Sequence, residues 1–368
     1  HTIAEIPEIV DQIIWHLSAY QDPNITQASI LHYNKKHLHP CLFVNRLWYS
    51  CAVRHIWRHV LFEDSVHDSY AFQKFASIFS NTQMAIPKPP SSSFSSSLFS
   101  FLSTDLPALT APPSTQLPPL PNHPTKLSTP SLSIYNKAIR SLTIRKLKDR
   151  SLNSMLNSIA QYATRLTNID FYICDHLSND ALMSLFRYAC SSLTHVSLAG
   201  CYRISDESII MLAHYVPGLI YLDLRACGSI SDVSITAIAT SCPHLKHLNV
   251  GRIRERDRIT SQSIIKIAEC TQVTVLGLAG CAIDDQAIIQ LATYRHHTLE
   301  RVSVNNCQRL TNKSLRYLFN HCPNLTVFEM KDCHYITDWY IVHDLLTRNV
   351  ILTLSEQQNK EYREWCDR

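Results

Sequence analysis

The sequence predicts an α/β solenoid, in which about eight copies of a strand-plus-helix unit stack between residue 139 and the C-terminus. Segments such as LTHVSLAGCYRISDESIIMLAHYVPG and LIYLDLRACGSISDVSITAIATSCPH align without gaps, with apolar residues at the first, fourth and sixth places. The ninth place recurs in steps of 26 to 28 residues, at Leu147, Cys174, Cys201, Cys227, Ile253, Cys281, Cys307 and Cys333. Eight occurrences at one period indicate a repeat architecture.

Each unit is predicted to contain a short strand followed by a helix. The fourth and sixth places, for example Val196 and Leu198, alternate with polar residues, as in a strand that buries one face. A Ser/Thr–Asp/Asn pair such as Ser205–Asp206 follows, and its side-chain oxygens can cap the unpaired N–H groups of a helix. Because one unit cannot bury its apolar face alone, the copies should form a curved horseshoe with a parallel concave sheet and outer helices.

Ten of the thirteen cysteines follow the repeat. Six occupy the ninth place and should form a column inside the coil. A second column is predicted near the helix ends, at Cys190, Cys242, Cys270 and Cys322. As small buried hydrophobes, both sets should be inert and reduced, which favours the cytoplasm or nucleus.

Three segments precede the regular repeats. Residues 1–64 read as a small all-α domain, because IPEIVDQIIWHLS places apolar residues at helical spacing. Residues 65–82 could form a helix after a strand at 59–62, which would make a divergent first repeat that caps the solenoid. Residues 83–135 contain eleven prolines and long serine runs, a composition typical of a disordered insertion or linker. The solenoid with its C-terminal cap is assigned to residues 136–368.

Composition and motifs exclude several classes of function. A net charge of +4 and a pI near 8.4 are too mild to indicate nucleic-acid binding. No uninterrupted apolar run reaches the length of a membrane span. The sequence contains no Cys-x-x-Cys pair for zinc and no glycine-rich phosphate loop. We therefore expect no metal, no cofactor and no enzymatic activity.

The repeat resembles the cysteine-containing class of leucine-rich repeats over residues 139 to about 345. The N-terminal segment resembles an F-box through IPEIVDQIIWHLS, CLFVNRLWYSCA and IWRHVLF. Together they are similar to the F-box and leucine-rich-repeat family, the substrate receptors of SCF-type ubiquitin ligases. Two departures are an insertion at residues 21–37 and the Pro/Ser-rich segment before the repeats.

The resemblance implies that the N-terminal domain binds a Skp-family adaptor, which connects it to a cullin scaffold, while the repeats select a protein substrate. The residues that match the adaptor-binding pattern are Ile6, Pro7, Ile9, Ile13, Leu17, Leu38, Cys41, Val44, Trp48 and Trp57. A small helical domain could equally bury such residues internally. Their density in so short a domain favours an interface.

The outward places of the strands should line the concave sheet and bind the substrate. These predicted binding residues are Arg145, Tyr172, His195, Tyr221, Asp223, Arg225, His247, Asn249, Arg301, Asn305, Glu329 and Lys331, and Thr143 is expected on the same face. The opposing interpretation is a merely solvated sheet surface.

One loop, GRIRERDRIT, departs from the repeat because Ile253 stands where cysteine is usual. Its Arg252, Arg254 and Arg256 could bind a carboxylate or phosphate together with the concave arginines, which suggests an acidic or phosphorylated substrate segment. A solvated loop, partly neutralised by Glu255 and Asp257, is the competing interpretation.

Two functional hypotheses follow from the sequence. In the first, the chain is the non-catalytic substrate receptor of an SCF-type ubiquitin ligase. In the second, it is a binding or inhibitory solenoid that acts without a ligase, and its N-terminal helices only cap the array.

Overall fold

The computed structural model describes residues 6–18, 36–63, 66–80 and 138–368. The described chain divides into two units, one drawn from residues up to 58 and 77–138, the other from 59–76 and 139–368. The predicted disordered segment 83–135 and most of the insertion at 21–37 lie outside the described residues.

The first unit is helical. It contains helix α1 (Pro7–Leu17), a 3₁₀ turn (Pro40–Phe43) and helix α2 (Arg46–Ile56). Helix α1 begins at a proline, which is suited to the first helical position. Helix α2 begins after Asn45, whose side chain accepts a hydrogen bond from the Trp48 backbone N–H at 3.0 Å. The core of the unit is made by Val10, Ile14, Leu38, Cys41, Cys51 and Ala52.

The second unit is built on one ten-stranded parallel sheet whose strands follow chain order. The strands are β1 (His59–Phe62), β2 (Ser141–Arg145), β3 (Asn168–Tyr172), β4 (His195–Ser197), β5 (Tyr221–Asp223), β6 (His247–Asn249), β7 (Val275–Gly277), β8 (Arg301–Ser303), β9 (Val327–Glu329) and β10 (Ile351–Thr353). Strand β1 pairs with β2 in parallel, so a strand from the segment before residue 65 extends the repeat sheet.

One helix follows each strand. The helices are α3 (Val66–Ser80), α4 (Leu152–Ala160), α5 (Asn179–Ala189), α6 (Asp206–Tyr215), α7 (Asp232–Ser241), α8 (Ser261–Cys270), α9 (Asp285–Arg295), α10 (Asn312–His321), α11 (Trp339–Thr347) and α12 (Glu356–Cys366). Successive helices from α7 to α9 pack against one another, as expected for a stacked coil. The predicted solenoid, with its parallel sheet and alternating helices, is confirmed.

The ninth-place cysteines lie in a buried column, as predicted. Each thiol lies near a backbone carbonyl of the preceding repeat. For example, Cys227 Sγ donates to the Leu198 carbonyl at 3.1 Å, and Cys307 Sγ to the Leu278 carbonyl at 3.2 Å. Burial raises the pKa of Cys227 to about 12, so the thiol stays protonated and unreactive at neutral pH.

The prediction of a second buried cysteine column is correct for only two of its four members. Cys242 and Cys322 are buried, whereas Cys190 and Cys270 are exposed. The buried place lies eleven residues after the N-cap, where Ala189, Val216, Cys242, Thr271 and Cys322 occur. Cys190 comes one residue after this place and Cys270 one residue before it, so both side chains turn outward.

Aspartates at the helix starts connect neighbouring repeats, a feature that the sequence analysis missed. The Asp232 carboxylate accepts hydrogen bonds from the Thr260 backbone N–H at 2.9 Å and the Thr260 hydroxyl at 2.6 Å. It also accepts from the hydroxyl of buried Ser263. Asp285 binds Thr311 of the next repeat in the same way. Of the predicted caps, Thr311 Oγ1 accepts from the Lys313 N–H at 3.2 Å, whereas the Ser205 side chain makes no cap bond to α6.

We expect Asp232→Ala to lower the free energy of unfolding by about 2–3 kcal/mol, because Thr260 N–H and Ser263 Oγ lose their acceptor. Asp180→Ala, which removes an exposed carboxylate from the first turn of α5, is the matched control and should cost much less. Denaturant unfolding of both variants measures the difference. Equal losses would show that the inter-repeat bonds add nothing.

Candidate protein-binding surface

The register of the sheet aligns three aromatic side chains on the concave face. His195 pairs with Tyr221, and Tyr221 pairs with His247, each as the first residue of its strand. Their rings are stacked, with centroids 5.8 Å apart for His195 and Tyr221 and 4.2 Å apart for Tyr221 and His247. Stacking fixes the ring planes, so the ring edges form an ordered, half-buried ridge across three repeats.

Burial lowers the pKa of both histidines in this ridge below the ordinary value of 6.5. His195 is also fixed by a 2.8 Å hydrogen bond between its Nδ1 and the Thr194 hydroxyl. At neutral pH the ridge therefore carries no charge, and it offers hydrogen-bonding groups and apolar ring surface to a partner.

These lowered pKa values predict a pH-dependent stability. Between the folded-state pKa and about pH 6.5, the unfolded chain binds more protons than the folded chain, so stability falls as the pH falls through that window. We expect the unfolding temperature to be lower at pH 5 than at pH 7.5, and the decrease to be smaller in a His195→Gln/His247→Gln variant. An identical decrease in the variant would exclude the histidines as its source.

Three arginines on the concave face form ion pairs with carboxylates, and each carboxylate is more buried than its arginine. Arg145 Nη2 is 2.9 Å from Asp170, Arg225 Nη2 is 2.7 Å from Asp223, and Arg301 pairs with Glu329. About half of each arginine side chain is exposed, whereas Asp223 is 2% exposed and Glu329 18%. The carboxylates therefore hold the guanidinium groups in place while part of each arginine side chain stays accessible to a partner.

This geometry corrects the prediction for Asp223. Its side chain is buried and binds the Arg225 backbone N–H and Nε at 3.0 Å, so it positions Arg225 and cannot contact a partner itself. Thr143, which was also expected on the open face, is buried.

The remaining predicted concave residues lie on the same face. Tyr172 is 39% exposed at the end of β3. Asn305 donates to Glu329 at 3.3 Å and accepts from the Lys331 backbone N–H at 2.7 Å, which joins three predicted residues in one network. Asn249 packs over Gly277, where an added Cβ would come within 2.4 Å of its side chain.

The arginine loop differs from its prediction. Ile253 does not occupy the inward place, since it is 84% exposed, and Arg252 is the residue that turns inward, at 5% exposure. Arg252 therefore cannot bind a substrate directly. Arg254 is exposed and Arg256 is half-buried, so these two remain at the surface.

The residues predicted to bind an adaptor fall into three groups in the helical unit. Leu38 and Cys41 belong to its core, which corrects their assignment to an interface. Residues with intermediate burial are Ile9, Ile13, Trp48 and Trp57. The exposed predicted residues are Ile6, Pro7, Leu17 and Val44. The sequence analysis missed Phe43, which is 60% exposed, and Trp15, which is 40% exposed.

Other kinds of site find no support in the described part of the chain. Residues 6–18, 36–63, 66–80 and 138–368 contain no cluster of three metal-binding side chains. Within the same ranges, no helix has the length and apolar character that crossing a membrane requires.

Comparisons with known proteins find similarities to one repeat family, to one solved structure and to several curated proteins. The family pattern described as "Leucine Rich repeat" matches residues 189–213. These residues include the start of α6 and the whole of β4. The matched segment is therefore one leucine-rich repeat within the solenoid. A solved structure titled "Crystal structure of Rad7 and Elc1 complex in yeast" aligns with a TM-score of 0.49 and 17% identity, over 56% of this chain and 54% of that one.

Several curated relatives are named "Antagonist of mitotic exit network protein 1". The Candida glabrata protein is 30% identical over 349 residues, which cover 92% of this chain and 56% of the relative. The Eremothecium gossypii protein is 28% identical over 92% of this chain and 70% of the relative. The Yarrowia lipolytica protein is 43% identical over 46% of this chain. The chain thus spans little more than half the length of the Candida glabrata relative.

Proposed function

We propose that this chain is a non-catalytic receptor that binds an acidic or phosphorylated segment of a partner protein in its concave face. Its helical unit docks on a Skp-family adaptor and, through it, on a cullin scaffold, so that the bound partner is presented for ubiquitin transfer. By removing that partner, the chain would antagonise mitotic exit, which is the role that the relatives' name gives them.

The observation that carries this proposal is the set of oriented guanidinium groups at Arg145, Arg225 and Arg301. An arginine already fixed by a carboxylate loses little side-chain entropy when it binds a second acceptor. Its planar donors suit a carboxylate or phosphate of the partner. The neutral His195–Tyr221–His247 ridge, on strands between those of Arg145 and Arg301, supplies contact area without competing charge.

The adaptor contact is supported by exposed apolar side chains in the helical unit. Ile6 and Leu17 are each 37% exposed, Val44 is 58% exposed and Phe43 60%. Large apolar residues at this density are unusual on a free surface and typical of an interface core. The thirteen cysteines are all free, which supports a reducing compartment, the cytoplasm or nucleus.

A second candidate function is inhibition by binding alone, with no ligase recruited. The word "antagonist" in the relatives' name favours it, because a concave face that occupies a partner can inhibit without destroying it. The two candidates share the concave surface and differ in whether the exposed face of the helical unit is needed.

Expression of this chain in cells that lack a relative tests both candidate functions. The chain is expressed in Saccharomyces cerevisiae that lacks its own relative, and the time from spindle elongation to cell division is measured. We expect the wild-type chain to lengthen this interval and a Tyr221→Ala/Arg301→Ala variant to leave it unchanged. A folded wild-type chain without effect would contradict the antagonist role. A Val44→Asp variant with full effect would favour binding alone.

A further inference from the structure

The loop between β6 and α8 is three residues longer than the corresponding loop of the preceding repeat. The sixth and twelfth places are six residues apart in the preceding repeat, at Leu224 and Ile230, but nine apart here, at Val250 and Ile259. Other repeats turn with a left-handed residue just before the ninth place, as at Ala226 and Asn306. Here the left-handed residue is Glu255, followed by a 3₁₀ turn at Arg256–Arg258.

The inserted loop is anchored from below by the buried Arg252. Its Nε donates to the Val250 carbonyl at 3.3 Å, and its Nη1 donates to the carbonyls of Ile230 at 3.1 Å and Glu255 at 3.2 Å. Within the described ranges no carboxylate pairs with this guanidinium, and its Nη2 has no hydrogen-bond partner. Burying a cation without a carboxylate partner is costly, and the three bonds to carbonyl oxygens offset part of that cost while they hold the loop.

Neighbouring repeats on both sides accommodate the loop. Gly280, with φ +72°, approaches so closely that an added Cβ would lie 2.0 Å from the Arg252 carbonyl oxygen. The Ala282 N–H donates to the carbonyl of Arg256 at 3.2 Å, and Glu255 lies against Gly228. Asp257 is 3.8 Å from Arg309 of a later repeat. The loop therefore packs against the neighbouring repeats at the edge of the sheet where the concave strands end.

The loop presents an aliphatic side chain beside arginines. Ile253, at 84%, is the most exposed large apolar side chain in the described part of the chain. Among the described residues, Arg254 and Arg256 have no ion-pair partner, whereas Arg258 and Arg309 face Glu255 and Asp257. The surface around Ile253 is thus apolar at its centre with net positive charge beside it.

We propose that residues 253–256 are a second recognition element, which binds an apolar side chain flanked by carboxylates in the same partner segment that occupies the concave face. Arg254 and Arg256 attract the carboxylates on either side of the partner's apolar side chain, and Ile253 supplies the apolar contact. Arg252 is a positioning residue, because it holds the loop without touching the partner. This inference rests on the proposed binding function of the concave face.

Phage-displayed random peptides panned on the full chain test the inference. We expect the enriched peptides to carry an apolar residue between acidic ones, and Ile253→Ser to weaken their binding by about tenfold or more. Val233→Ser, at a valine on α7 that is 64% exposed, is the matched control and should bind as the wild type does. Arg254→Glu should weaken binding as Ile253→Ser does.

Two further variants test whether Arg252 positions the loop for binding or only contributes to folding. In a graft, GRIRERDRI at 251–259 is replaced by RACGSI of residues 225–230, which restores the regular spacing. Arg252→Met removes the anchor but keeps an apolar stem. Both should keep or raise the unfolding temperature and still lose tenfold or more in peptide affinity. A purely structural Arg252 would instead lower the unfolding temperature and leave the affinity unchanged.

The outcomes distinguish this inference from the function on which it rests. Enriched peptides that lose affinity with Arg301→Ala but not with the loop variants would overturn the loop's role and leave concave binding intact. Peptides insensitive to both sets of variants, or no enrichment at all, would overturn the loop's role and count against the concave face as well.

Discussion

Replacing Arg225 with alanine is expected to lower the free energy of unfolding by about 3 kcal/mol and to weaken partner binding by about 100-fold. The stability effect arises because Asp223 is 2% exposed and would keep only its bond to the backbone N–H of residue 225. The binding effect arises because Arg225 exposes more than half of its side chain to the concave surface. Denaturant unfolding measures the stability effect. Titration with the partner protein, once cross-linking to the chain has identified it, measures the binding effect.

A compensating variant separates these two roles of Arg225. Asp223→Asn/Arg225→Ala removes the buried charge together with its partner, so it should regain much of the lost stability. It should not regain binding, because the guanidinium is still absent. Recovery of binding with stability would mean that Arg225 acts only through folding, and the concave arginines would lose their proposed role.

Charging the exposed face of the helical unit is expected to abolish adaptor binding, with an affinity loss of about 100-fold or more. Val44→Asp combined with Ile6→Asp places two carboxylates where Val44 is 58% and Ile6 37% exposed. Neither side chain belongs to the core of this unit, so the fold should persist. Affinity for a purified Skp-family adaptor, measured on the full chain, is the test.

A matched variant controls for added charge. Gln12→Asp introduces a carboxylate at an exposed polar position of α1 and should leave adaptor affinity unchanged. If Val44→Asp/Ile6→Asp binds as the wild type does, the adaptor does not use this face. The chain would then be assigned to inhibition by binding alone.

The repeat and its consequences could be predicted because they depend on periodic burial. The inward places, the ninth-place thiols and caps such as Thr311 recur at fixed spacing, so one alignment predicts them together. The arginine loop could not be predicted in this way. An alignment assumes equal turns, and three extra residues allowed Arg252 to replace Ile253 inside the coil.

Other errors have a different physical origin. The bonds from Asp232 to Thr260 and Ser263 join consecutive repeats, and spacing alone does not show which repeat a short side chain contacts. Leu38 and Cys41 matched an interface pattern, but a small unit must bury some apolar residues in its own core. The separate roles of Arg225 and Asp223 could not be predicted from the sequence. Burial in the structure shows that Asp223 positions Arg225, whereas the exposed Arg225 is the group that can bind.

The central claim is that a partner protein lies in the concave face, and site-specific photocrosslinking tests it most directly. A benzophenone amino acid replaces either Tyr221, in the middle of the stacked ridge, or Tyr188, which is 46% exposed on helix α5 outside the sheet. Irradiation of cells that express each variant of the chain should give a partner adduct at position 221 and none at position 188. An adduct at 188 with none at 221 would contradict the account, because it would place the partner on the helical side of the solenoid.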